Sequence, residues 1–118
     1  MMLDDNLLSQ KLSGRKIDAV LFKKECIEIQ CDDRRLTLYA VSDVTFLPDD
    51  VHEQLSDGPL SQKLVRLIGR TISHVRHNAM EGYCFLLEDF AVLRVHERGS
   101  LCGETGIVSD AAGASMAF

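Results

Sequence analysis

Two stretches of the chain set out their apolar and polar residues in nearly the same order. LSGRKIDAV at 12–20 recurs as LIGRTISHV at 67–75, 55 positions on, with Leu, Gly, Arg, Ile and Val in matching places. The likeness extends upstream, where LSQKL occurs at 8–12 and again at 60–64. In the first occurrence Leu12 belongs to both phrases, whereas in the second Val65, Arg66 and Leu67 intervene. Three extra residues are close to one helical turn, so a helix lengthened this way still presents roughly the same side.

Apolar spacing predicts a helix before each phrase. Leu3, Leu7, Leu8 and Leu12 gather on one side of a helix from Asp4 or Asp5 to Leu12, with aspartate suited to the N-cap and Gly14 just past the end. Leu60, Leu64, Leu67 and Ile68 form the corresponding stripe after Pro59, and Gly69 ends it. A glycine at either place can adopt the left-handed conformation that turns a helix into a strand. The residues that follow, 17–22 and 71–77, are β-branched or aromatic enough to be strands. Hairpins are then predicted from 26–31 and 36–41 around Asp32-Asp33-Arg34-Arg35, and from 83–88 and 91–96 around the pair Asp89-Phe90.

Between the halves, Asp49-Asp50-Val51-His52-Glu53 predicts a short capped helix that Ser56-Asp57-Gly58-Pro59 breaks. The expected fold is α+β in one domain, 1–118, containing an internally duplicated αβββ unit. Repeat 1 covers about 3–47, a linker helix about 49–57, repeat 2 about 59–108 and a tail 109–118. The strands are expected to be antiparallel and the halves related by pseudo-two-fold symmetry, in an antiparallel sheet or a partial barrel.

The two hairpins differ in polarity. With a four-residue turn, Ile27, Ile29 and Cys31 oppose Ala40, Leu38 and Leu36 on an apolar face, and the reverse face is mostly polar. With a two-residue turn, Cys84, Leu86 and Glu88 oppose Val95, Leu93 and Ala91 on the core face of the second hairpin. Its outer face then carries Tyr83, Phe85, Leu87, Val92, Arg94 and His96, four of them large and apolar. Either the residues from Gly106 to Phe118 cover that face, or it meets a second copy or another protein, since bare apolar surface of this kind is uncommon.

Composition narrows the classes. A chain of 118 residues with 46% apolar and 26% charged residues is long enough for one core without a disulfide or metal. A net charge of -5 leaves no basic face for nucleic acid. MMLDDNLLSQ has neither the basic nor the apolar region of a signal peptide, and no apolar run is long enough to cross a bilayer. Cys26, Cys31, Cys84 and Cys102 are therefore expected as small hydrophobes in a reducing cytoplasm.

Chemical candidates are sparse. His74 and His77 are three apart, but on a strand they point to opposite faces, and Cys26 and Cys31 lack the close spacing of a zinc pair. No metal and no cofactor are expected. Cys102, in GSLCGETG, has the most accessible context among the thiols, yet neither GxxxxGK[ST] nor GxGxxG is present. Glu88 falls on the predicted core face, which calls for a partner such as Arg70 or Arg15. Those two arginines follow the helix-ending glycines, suited to helix C-terminal carbonyls or to a shared anion pocket.

The leading expectation is a small non-catalytic protein-interaction module, a homodimer or a binder of another protein, with no nucleic-acid or membrane partner. Its binding face would be Tyr83, Phe85, Leu87, Val92, Arg94 and His96. The alternative is a small-ligand or anion binder, or an enzyme, using a cleft between the repeats with Arg15, Arg70 and Cys102.

Overall fold

A computed structural model describes residues 4–46, 58–96 and 105–118. Its first helix, α1 (Asp5–Leu12), starts where Asp4 accepts the Leu7 N–H at 2.8 Å. That side chain satisfies a backbone donor that the helix itself leaves unpaired. Leu8 and Leu12, one turn apart, are fully buried. Strands β1 (Ile17–Phe22), β2 (Ile27–Cys31), β3 (Arg34–Leu38) and β4 (Val41–Phe46) follow. Helix α2 (Leu60–Val65) is shorter, and its Leu64, with Leu67 just beyond, is fully buried. Next come β5 (Ile72–Asn78), β6 (Gly82–Leu87), β7 (Ala91–Val95), β8 (Gly106–Ser109) and β9 (Ser115–Ala117). The linker helix expected at about 49–57 lies outside the described residues.

The strands make two antiparallel sheets, ordered β1-β2-β3-β8-β9 and β4-β7-β6-β5. β4 leaves the first sheet's neighbourhood to pair with β7, and β8 returns to pair with β3. The first half therefore supplies β4 to the sheet of the second, and the second half supplies β8 and β9 to the sheet of the first. Where the chain crosses, the Tyr39 N–H donates to Thr105 O at 3.2 Å and the His96 N–H to Ala40 O at 2.8 Å.

The two glycine-arginine phrases lie side by side and exchange hydrogen bonds. Gly14 N–H donates to Ile72 O and Gly69 N–H to Ile17 O, both at 2.8 Å. Ile17 N–H donates to Arg70 O at 2.9 Å and Ile72 N–H to Arg15 O at 2.8 Å, with Lys16 and Thr71 bridged between them. Each bond has its counterpart 55 residues on. Gly14 and Gly69 have φ of 80° and 94°, where a Cβ would meet no neighbour but the backbone conformation itself disfavours one. Bulges also match, between Ile17 and Ala19 in β1 and between Ile72 and His74 in β5.

One apolar core draws on both sheets and both helices, from Leu8 and Leu12 through Ile29, Leu36 and Val44 to Phe85, Leu93 and Phe118. Phe118 is 1% exposed and meets Tyr83 and Phe85 edge-on, at centroid distances of 5.1 and 6.2 Å. Gly106 makes room for it: a Cβ there would strike the Phe118 ring and lie 2.6 Å from Thr37 O.

The second hairpin departs from the expected register. Its turn has three residues, Glu88–Phe90, with Asp89 and Phe90 at φ of 61° and 62°, so Leu87 opposes Ala91. One additional turn residue moves the whole of β6 to the other face relative to β7. Tyr83, Phe85 and Leu87 consequently face the core with Ala91, Leu93 and Val95, while Cys84, Leu86, Val92 and Arg94 form the reverse side. In the first hairpin the turn is Asp32-Asp33 and Cys31 opposes Arg34. That shift is by two residues, so its apolar residues keep their face.

Candidate interaction surface

The six residues expected to form one partner-binding face are divided by the register. Tyr83, Phe85 and Leu87 belong to the core, at 8%, 0% and 6% exposure, and Phe118 covers the first two. Val92 and Arg94 lie on the reverse side, where the Arg94 Nη1 donates to Thr45 Oγ1 at 2.6 Å, and His96 is exposed past the end of β7. They do not combine into a surface.

Arg15 and Arg70 are likewise directed apart. Arg15 forms an ion pair with Asp33 in the first hairpin turn. Arg70 donates through Nη1 to Asp89 O at 3.0 Å and Glu88 O at 3.5 Å, and through Nε to Arg66 O at 3.3 Å at the end of α2. Its guanidinium also lies 5.0 Å from the centre of the Phe46 ring. Each arginine thus engages the turn of its own hairpin. Cys102 lies outside the described residues. Glu88 is exposed; the buried acid is Glu28, 5% exposed, held at 2.6 Å by both Lys23 and Arg35. Glu28 points to the outer side of its sheet, between Leu21 and Thr37 of the neighbouring strands.

A polar cleft of about 470 Å3 sits at the end of the first sheet, where the Asp32-Asp33 turn faces Ser109 and Asp110. Its carboxylates are already engaged, while the buried Arg34 Nε has no hydrogen-bond partner among the described residues. Asp32 accepts the Lys16 N–H at 2.9 Å, Asp33 pairs with Arg15, and Asp110 accepts the Ala112 and Ala114 N–H groups at 3.0 Å. Among the described residues, no three His, Cys, Asp or Glu side chains come together as a metal site, and no helix is long and apolar enough to cross a membrane.

The edges of the two sheets are treated differently. β5 is one edge of its sheet, opposite β4, and α1 runs along it. Ser9 Oγ accepts the Val75 N–H at 3.0 Å, an Asp5 carboxylate oxygen accepts the His77 N–H at 3.3 Å, and Ser13 Oγ donates to Ser73 O at 2.8 Å. Residues 5, 9 and 13 are one helical turn apart, so one line of polar side chains caps one strand edge.

β1 is one edge of the other sheet, and among the described residues it has no such cap. The Lys23 N–H donates to Cys26 O at 3.0 Å, which places Lys23 in a pair bonded to the β2 side. By antiparallel alternation, Phe22 and Val20 turn their N–H and C=O groups away from β2. The bulge-matched positions in β5, 55 residues on, are Val75 and His77, the two that α1 caps. No described residue caps Val20 or Phe22 on the open side. Beside them the surface is apolar: Phe22 is 50% exposed, Val65 49%, Ile68 44% and Leu21 38%. A groove of about 370 Å3 runs between Phe22 and the α2 residues Ser61, Gln62 and Val65.

The composition signal for this site lies in Leu21-Phe22 at the end of β1. Pro59 stands at the α2 N-cap without a side-chain hydrogen bond. The chain matches no family model, no curated protein and no solved structure.

Proposed function

We propose that this chain is a small non-catalytic interaction module that takes an extended polypeptide segment onto the open edge of β1. The observation that carries the reading is the unequal treatment of two otherwise corresponding edges, one capped by Asp5, Ser9 and Ser13 and the other uncapped among the described residues beside exposed Leu21, Phe22 and Val65. Proteins ordinarily blunt an exposed edge, because its free N–H and C=O groups template further pairing. An added strand would satisfy those of Val20 and Phe22, and its side chains would reach the groove between Phe22 and α2.

The reading includes an internal duplication. Two αββββ units, related by a pseudo-two-fold axis at Lys16 and Thr71, exchange their fourth strands. The reciprocal hydrogen bonds of the glycine-arginine phrases and the matched bulges support it. In such a pair α1 closes the edge of the second unit, and no described residue caps Val20 or Phe22 of the first. The free thiols of Cys26, Cys31 and Cys84 suit a reducing compartment such as the cytoplasm.

Selection from a displayed library of random peptides, with counter-selection on Val20→Pro, tests this. Proline is tolerated where an edge N–H faces outward and removes that donor. Peptides rich in alternating apolar residues that bind the native chain and lose binding to Val20→Pro are the expected result. Enrichment only of peptides that bind both proteins equally would refute the reading.

A further inference from the structure

We draw no further inference here: the strongest candidate, the open β1 edge with the apolar groove between Phe22 and α2, belongs to the site already described, and nothing in the structure shows what covers it.

Discussion

Cys31 closes β2 with its side chain in the core, and loss of solvent pushes its thiol from 9.0 up to about 12. Asp32 and Asp18 add to the rise and Arg15 opposes it. The native state thus holds this proton more tightly than the unfolded chain. Its contribution to stability is complete below about pH 9 and is lost as pH climbs toward about 12, because the unfolded chain then releases a proton that the native state retains. A single thiol can change stability by at most about 1.4 kcal/mol per pH unit in that window. The Cys84 thiol is raised too, chiefly by burial and then by Glu81, and the Lys23 ammonium is raised by its hydrogen bond to Glu28. Both act in the same direction at alkaline pH. Denaturant titrations at a series of pH values should show stability falling above about pH 9, with a shallower fall in Cys31→Val. Equal slopes for the two proteins would contradict the assignment.

At the scale of elements, α1 does two jobs: Leu8 and Leu12 fill the core, and Asp5, Ser9 and Ser13 close the β5 edge. The sequence pattern displays the first job and hides the second. Leucine spacing locates both helices, and Gly14 and Gly69 locate their ends, because burial and positive φ act on neighbouring residues. A hydroxyl that meets a strand 66 residues away leaves no local trace. The hairpins show the same division. Their existence is legible from β-branched and aromatic runs, but whether Glu88 belongs to β6 or to the turn decides which face Phe85 takes, and polarity alone favoured the wrong one. VSDVTF at 41–46 was also hard to recognise as a strand, since Ser42, Asp43 and Thr45 dilute its apolar content. It becomes β4 through pairing with β7 in the other half. Ser9→Ala tests the edge cap. It should cost about 1–2 kcal/mol, because the Val75 N–H is left without a partner beside the core. Val75 amide exchange should accelerate accordingly, roughly tenfold, while exchange at Leu93 follows only the global change. A variant as stable as the native chain, with Val75 still protected, would show that Ser9 is not the cap.

The whole molecule is two antiparallel sheets around one core, tied together at the glycine-arginine phrases and at the crossings near Tyr39 and His96. β4 and β8 each extend the sheet of the other half, α1 covers β5, and Val20 and Phe22 of β1 are uncapped among the described residues. The functional account therefore depends on a comparison between two positions within one chain. Amide hydrogen exchange resolved by residue makes that comparison most directly. In dilute solution Val20 and Phe22 should exchange far faster than Val75 and His77. Equal protection of the four amides would contradict the account.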